Sequence, residues 1–167
     1  MLRYHHLRKK EVNALKNKLL NTSLKLYEKF KDSKVGYRIA INDVELLTLN
    51  EVPVLIIMKD AVIPTLIAIK LGGLGSLPYA VVDEGAVKHI LNGADVMAPG
   101  ITEVEVFNRG DIVAVWEPSK RSPLTVGRAL MSSDEITRIR RGRAIKNLHY
   151  AGDKIWQICL RFIQMMR

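Results

Sequence analysis

Cysteine is almost absent from this sequence, and long apolar runs are missing too. The 167 residues include one cysteine, Cys159, so the chain cannot form an internal disulfide or a zinc site made of several thiolates. No uninterrupted apolar stretch comes near the roughly 20 residues that a membrane-spanning helix requires. No apolar segment of a secretory signal follows the basic N-terminus. These scarcities predict a protein of the reducing cytoplasm with no membrane partner.

Arrangements of catalytic and cofactor-binding side chains are also missing. The four histidines have no metal-ligand spacing, and Cys159 lies in an apolar segment typical of a core. Asp83 and Glu84 are adjacent, so at a helix start they would diverge rather than converge as a general acid and base do. The glycine-rich segment "LGGLGSLPY" lacks the motifs of a P-loop and of a dinucleotide site, and is typical of a linker. The sequence therefore predicts no enzyme, no metal site and no cofactor.

Positive charge is in excess and is concentrated at both ends of the chain. The sequence has 26 Lys and Arg against 17 Asp and Glu, a net charge of +9. Residues 1–34 contribute +7, residues 35–120 contribute −5 and residues 121–167 contribute +7. A solvated basic face would explain each end separately. Two basic segments around an acidic middle favour instead a polyanionic partner, above all a nucleic acid.

Apolar residues recur with helical spacing near the N-terminus. The stripe runs from Val12 to Phe30, which predicts one amphipathic helix, or two helices with a break at residues 21–23. Short β-branched runs separated by turn residues follow up to residue 70 and predict a small antiparallel sheet. We place a first domain, of helix plus sheet, at residues 1–75. Its helical segment carries a candidate second basic surface, namely Lys9, Lys10, Lys16, Lys18 and Lys25.

The pattern of elements changes after residue 75. A strand at residues 79–83 leads into a short helix that Asp83 would cap and Gly93 would end. Further strands follow, interrupted by a second short helix capped by Ser132 or Ser133, and the last two are predicted at residues 143–150 and 154–158. The tail from residue 155 fits either a strand followed by a helix or a helix throughout. The order β-α-β-β-β-α-β-β predicts an α+β protein whose second domain, residues 76–167, is a nearly closed β-barrel with two helices.

Four motifs of the second domain occur in the order and spacing of a known RNA-binding fold. They are "VVDEGAVKHILNGADVMAPGI" from residue 81, "GDIVAV" from 110, "VGRALMSSDEI" from 126 and "GRAIKNLHYAGDKIW" from 142. Residues 79–156 thereby resemble the PUA domain, the pseudobarrel named for pseudouridine synthases and archaeosine transglycosylases. Together with "PTL" at residues 64–66, they also resemble the family of the malignant T-cell-amplified-sequence protein and its archaeal relatives. The resemblance implies a PUA domain preceded by an N-terminal α/β domain.

The resemblance also implies which residues contact RNA. In PUA domains the first helix and the loop after it form one wall of the site, and the strand corresponding to "VGRALM" lies opposite. Gly93 and Gly100 would let the backbone approach phosphate, while Met97 and Ile101 would offer apolar surface to an unstacked base. Considered alone, Gly93 also fits a helix end, and Met97 and Ile101 also fit a barrel core. The candidate RNA-binding residues are Lys88, His89, Gly93, Ala94, Met97, Gly100, Ile101, Arg128, Arg141 and Arg143.

These observations predict a non-catalytic RNA-binding protein that acts on tRNA or the small ribosomal subunit in translation initiation or recycling. The resemblance alone implies a ribosomal RNA surface and a density-regulated-protein-like partner, since eukaryotic members of the family bind the small subunit together with that protein. Two alternatives stay open from the sequence. One is the RNA-recognition subunit of an RNA-modification complex, and the other is an adapter whose basic N-terminal helix binds an acidic protein.

Overall fold

The computed structural model describes residues 2–167, which form two β-sheets with helices packed against them. The first half of the chain contains β1 (Tyr4–His6), α1 (Lys9–Thr22), α2 (Leu24–Phe30), β2 (Gly36–Ile41), β3 (Val44–Leu49), β4 (Val52–Ile57), β5 (Val62–Pro64) and α3 (Leu66–Gly72). The second half contains β6 (Tyr79–Val82), α4 (Glu84–Ile90), β7 (Val96–Met97), β8 (Ile101–Val104), β9 (Ile112–Trp116), β10 (Pro123–Ala129), α5 (Ser133–Ile139), β11 (Arg143–Tyr150) and α6 (Lys154–Met166).

The first sheet is an antiparallel meander in the order β1-β2-β3-β4-β5. Asn42 and Asn50 make its tight turns with positive φ angles of 50° and 53°, a conformation that asparagine tolerates better than most residues. The predicted helix break lies at Ser23, whose hydroxyl accepts the N–H of Leu26 and so caps α2. The apolar stripe of α1 and α2 packs on the sheet around Leu49 and Leu55.

The second sheet is the pseudobarrel predicted from the motifs. Its order is β7-β11-β10-β9-β6-β8, and β6 and β9 run parallel while the other described pairs are antiparallel. Irregular registers, such as the shift between Val126 and Gly127, bend the strands and help the sheet curl around its own core. A side chain on Gly127 would press on β11, since its Cβ would lie 2.6 Å from Cγ2 of Ile145. Helices α4 and α5 are the two predicted helices of this unit.

The strand predicted at residues 154–158 is wrong, because the whole tail is helical. Asp153 accepts the N–H of Trp156 at 2.7 Å and caps α6. The run "KIWQI" is short and apolar enough to fit either period. Over the full helix, however, the buried residues Ile158, Cys159 and Phe162 follow a spacing of three and four. Helix α6 therefore presents one apolar face, and that face packs in a core shared with the first sheet.

The two sheets meet through this shared core and through hydrogen bonds. The core joins residues of the first sheet, such as Ile39 and Leu46, to residues of the second, such as Trp116 and Val126, and to α6. Lys70 of α3 donates to the carbonyl of Arg121 at 2.6 Å. The predicted division of the chain at residue 75 therefore coincides with a change of sheet but not with a gap in the packing. No helix within residues 2–167 has the length and apolar character to cross a membrane.

Candidate nucleic-acid interface

A cleft of about 600 Å³ lies between α4, the loop after it and the start of β11. We call it the α4 cleft. Its walls are mostly small or apolar, and its polar lining consists of two aspartates, one histidine and one arginine. The α4 cleft is lined by Asp83, Gly85, Ala86, His89, Ile90, Ala94, Asp95, Val96, Met97, Gly100 and Arg143.

The start of α4 is fixed to the end of the loop that follows it. The Asp83 carboxylate accepts the N–H of Ala86 at 2.9 Å and caps the helix. The Asp83 N–H donates to the carbonyl of Gly100 at 2.8 Å. A Cβ on Gly100 would lie 3.1 Å from that of Ala86, closer than side chains pack comfortably. Glycine at position 100 therefore lets the loop approach the helix and gives the cleft its shape.

The middle of the loop is clamped by Asn147 of β11. Its side-chain amide donates to the carbonyls of Ile90 and Ala94 at 3.1 and 3.0 Å, and its backbone N–H donates to Asp95 at 2.9 Å. The amide oxygen accepts from the hydroxyl of Thr125 at 2.6 Å, so both ends of the side-chain amide are hydrogen-bonded. Sequence reasoning missed this residue. The signal available was an amide in the middle of the strand "RAIKNLHY", where a β-branched or apolar residue is more typical.

Basic side chains lie in the α4 cleft and on the elements that form it. Arg143 pairs with Asp95, Nη1 to Oδ2 at 3.1 Å, and keeps 67% of its side chain exposed. Its guanidinium has five N–H donors, so one such contact leaves others for a ligand. Lys88 and His89 lie exposed in the last turn of α4, where the helix dipole favours positive charge. Arg141 is exposed in the loop before β11. Of these residues, Arg143 and His89 line the cleft and can donate to an anion there.

The structure brings five of the candidate residues to the α4 cleft and leaves the others elsewhere. The five are His89, Ala94, Met97, Gly100 and Arg143. Met97 is 47% exposed, so its side chain lies at the protein surface and not in the barrel core. Lys88 and Arg141 are exposed outside the lining. Gly93 has a φ of +95°, and a Cβ there would lie 3.3 Å from the Tyr150 ring, so glycine is needed for the turn and for that contact.

Ile101 and Arg128 do not have the RNA-facing surroundings that the resemblance implied, and Ile101 follows the alternative of a barrel-core position. Ile101 is 5% exposed and packs in the barrel core, so it presents almost no surface to a base. Arg128 donates from Nη2 to the carbonyl of Asp60 at 2.8 Å and from Nη1 to that of Gly110 at 3.3 Å. It therefore joins the two sheets. Neither contact is readable from the sequence, because the strand pattern does not say what lies beyond each strand.

The five lysines of the predicted second basic surface do not lie on one face. Lys9 and Lys16 line a second cleft beside α1. Lys18 lines a small pocket on the other side of that helix, together with Arg38 and two glutamates. Lys25 of α2 donates to the carbonyl of Leu74 at 2.9 Å, and Lys10 is exposed at the first turn of α1. Lys16 follows Lys9 by seven positions, about two helical turns, so the two side chains lie on the same side of α1.

Three side chains of types common in catalysis, those of His149, Asp153 and Cys159, are buried or hydrogen-bonded within the fold. His149 is fully buried, with Nε2 accepting the N–H of Leu66 and Nδ1 bonded to Asp153 at 2.9 Å. Burial opposes ionisation of Asp153, but the bond from His149 and the N–H groups of Trp156 and Tyr150 outweigh it and lower its pKa. Burial raises the pKa of the Cys159 thiol to about 12. Within residues 2–167 no three His, Cys, Asp or Glu side chains are grouped so as to hold a metal.

Comparison with known proteins gives similarity over the second domain and over the whole chain. The PUA domain model matches residues 78–151. An uncharacterized protein of Methanocaldococcus jannaschii is 40% identical over 154 residues, which cover 91% of this chain and 94% of that protein. A hypothetical protein of Pyrococcus horikoshii, known from its crystal structure, is 36% identical with a TM-score of 0.80, over 94% of this chain and 99% of that one.

Eukaryotic relatives are similar over a shorter region. Malignant T-cell-amplified sequence 1-A of Xenopus laevis is 37% identical over 86 residues, 49% of this chain and 48% of that protein. Translation machinery-associated protein 20 of Saccharomyces cerevisiae is 33% identical over 86 residues, 47% of this chain and 48% of that protein. The similarity therefore spans about half the length of these eukaryotic proteins.

Proposed function

The chain belongs to the PUA-domain family, and from that premise we propose that it binds RNA in the α4 cleft and acts by binding rather than by catalysis. The observation that carries the proposal is the make-up of this cleft. Arg143 and His89 lie among small and apolar walls, and the carboxylates of Asp83 and Asp95 are bonded within the protein. None of the described lining residues is a serine, threonine, cysteine or lysine whose side chain could act as a nucleophile. Such a surface suits recognition of an unpaired nucleotide.

Each part of the α4 cleft has a task in this proposal. The exposed thioether of Met97 offers a soft apolar surface to the face of an unstacked base. The free N–H groups of Arg143 match the paired oxygens of a phosphate, and Lys88 adds a mobile positive charge. Gly85, Ala86 and Gly100 have small side chains or none, so a ribose can lie against the backbone of the cleft wall. An exposed RNA end or loop fits these features better than a continuous duplex does.

In this proposal the binding partners are components of the translation machinery. The yeast relative is named for association with the translation machinery, and the net charge of +9 suits a large polyanion. We infer that the bound RNA is tRNA or RNA of the small ribosomal subunit, in initiation or recycling, and that the protein acts in the cytoplasm. A density-regulated-protein-like partner is part of the same proposal. Sedimentation of the protein with small subunits, with and without nuclease, tests whether RNA carries the association.

Substitution of Arg143 by Gln tests the RNA site. Arg143→Gln removes an exposed ion pair worth about 0–1 kcal/mol to folding, and Asp95 keeps its bond from the Asn147 N–H. A charge-assisted phosphate contact contributes about 1.5–3 kcal/mol, so affinity for a single-stranded tRNA acceptor end should fall about tenfold or more. Fluorescence anisotropy with labelled RNA measures it. Arg161→Gln, on the exposed side of α6, removes the same charge and should change affinity far less.

A second variant tests the cleft shape independently of charge. Gly100→Val would place methyl groups against Ala86, where a Cβ alone is already at 3.1 Å, and should narrow the α4 cleft and weaken binding. Affinities must be compared at temperatures where each variant is equally folded. Equal losses for Arg143→Gln and Arg161→Gln, together with normal binding by folded Gly100→Val, would refute the site.

A further inference from the structure

A second cleft, of about 410 Å³, lies between α1 and the loop that joins α2 to β2. We call it the α1 cleft. All of its lining residues belong to the first half of the chain, which carries the first sheet. Its lining is basic and polar, with one apolar residue, Val12, at its base. The lining residues are Lys9, Val12, Asn13, Lys16, Ser33 and Lys34.

The three lysines of the α1 cleft have no carboxylate partner. Among the described residues, no acidic oxygen lies within 4.0 Å of the ammonium group of Lys9, Lys16 or Lys34. Glu11, the acid nearest in sequence to Lys9 and Lys16, is paired with Arg8 and Arg38, and Glu28 is paired with Lys31. Asp32 is the acid nearest in sequence to Lys34, but it does not line the cleft. The cleft therefore gathers positive charge without an internal counter-ion.

The two sides of the α1 cleft are held in place by buried contacts. Lys9, Asn13 and Lys16 recur at intervals of four and three, which puts them on one face of α1. The opposite side is the loop at Ser33, which is 5% exposed and accepts the amide N–H of Asn50 at 3.2 Å. The Asn50 backbone N–H donates to Val35 at 2.6 Å. Lys34 lies between Ser33 and Val35, so these two hydrogen bonds hold its backbone in place beside α1.

Like charges in one cleft repel, and an anion bound among them offsets that repulsion. We propose that the α1 cleft binds the phosphodiester backbone of RNA, as a second contact on the first sheet's side of the protein. The inference rests on the proposed RNA-binding function. Lysine ammonium groups act as mobile point charges that follow a backbone without reading bases. Asn13 and the Ser33 hydroxyl supply neutral donors beside them.

The proposed surface differs in membership from the basic surface that the sequence predicted. Lys34 joins Lys9 and Lys16, while Lys18 and Lys25 lie elsewhere and have other contacts. This division supplies a matched control. A cleft variant combines Lys9→Gln, Lys16→Gln and Lys34→Gln. A control variant combines Lys10→Gln, Lys18→Gln and Lys29→Gln, which removes the same charge from exposed positions on α1 and α2 outside the α1 cleft.

The test is a salt titration of binding to single-stranded oligouridine, read by fluorescence anisotropy. Each phosphate contact with a single strand contributes about −0.7 to the slope of log K against log salt. We expect the cleft variant to lose about 1 to 2 units of slope and to bind at least about tenfold more weakly at low salt. The control variant should keep a slope close to that of the unmodified protein. The melting temperature of the cleft variant should not fall, because the substitutions remove repulsion.

Each outcome has a distinct meaning. Equal losses of affinity and slope in the two variants would show that binding depends on overall charge. That result would overturn the proposed RNA contact in the α1 cleft but not RNA binding itself. Unchanged binding by the cleft variant overturns that contact as well. An unmodified protein whose weak binding does not depend on salt would instead refute the proposed function.

Discussion

At the scale of single residues, His149 connects the two sheets. Its ring is fully buried, and its Nε2 accepts the N–H of Leu66 at the start of α3 across 3.2 Å. The acceptor must be unprotonated, so Nδ1 carries the hydrogen and donates to Asp153. The same carboxylate accepts the N–H of Tyr150 and caps α6. One neutral imidazole thus links β11, α3 and the first turn of α6.

Truncation of His149 should therefore be costly. His149→Ala leaves a buried N–H of Leu66 without an acceptor and opens a cavity, and these effects together should lower the free energy of unfolding by about 2–5 kcal/mol. Urea denaturation followed by circular dichroism measures the change. His89→Ala, at an exposed position on α4, should alter stability by no more than about 0.5 kcal/mol. Equal, small effects of the two substitutions would show that the buried bond contributes little.

At the scale of elements, the α4 cleft depends on how the loop after α4 is held to β11. Asn147 makes that connection through Ile90, Ala94 and Asp95, none of which is its neighbour in sequence. The side chain touches the cleft's supporting backbone and does not line the cleft itself. Asn147 is therefore a positioning residue for the proposed RNA site.

Asn147→Ala should loosen the loop more than it unfolds the protein. The carbonyls of Ile90 and Ala94 lose their donor while the backbone bond to Asp95 remains, so the cost should be about 1–3 kcal/mol. Hydrogen exchange of residues 91–97 should become faster than in the unmodified protein, and RNA affinity should drop with it. Asn92→Ala, an exposed substitution in the same segment, is the control. Unchanged exchange in residues 91–97 would show that the loop is held by other contacts.

The elements also show what a sequence can and cannot predict. Caps at Asp83 and Ser132 and the break at Ser23 were predictable, because each uses a side chain bonded within three residues along the chain. Helix α6 was ambiguous, since five apolar-rich residues fit two periods until packing against the first sheet decides. The contacts of Asn147 and Arg128 were not predictable, because their partners lie 18 to 68 positions away on other elements.

At the scale of the whole molecule, a shared core cluster joins the two sheets, and the protein has two candidate RNA-binding clefts. Phe162 of α6 packs against the rings of Tyr4 and Tyr37 in the first sheet, with centroids 5.9 and 5.6 Å away. Trp116 and Val126 of the second sheet belong to the same cluster. The α4 cleft and the α1 cleft are therefore parts of one packed body, on opposite sides of the predicted domain boundary. A bound RNA would meet a surface whose two candidate clefts have a fixed separation.

The most direct test of the central claim is to map where RNA lies on the protein. A tRNA acceptor end with 4-thiouridine beside its 3′ terminus can be crosslinked by light and the modified peptides identified by mass spectrometry. The account predicts crosslinks within residues 83–101 and at the start of β11, with loss of these crosslinks in Arg143→Gln. Crosslinks that avoid both segments, or that persist unchanged in Arg143→Gln, would contradict RNA binding in the α4 cleft.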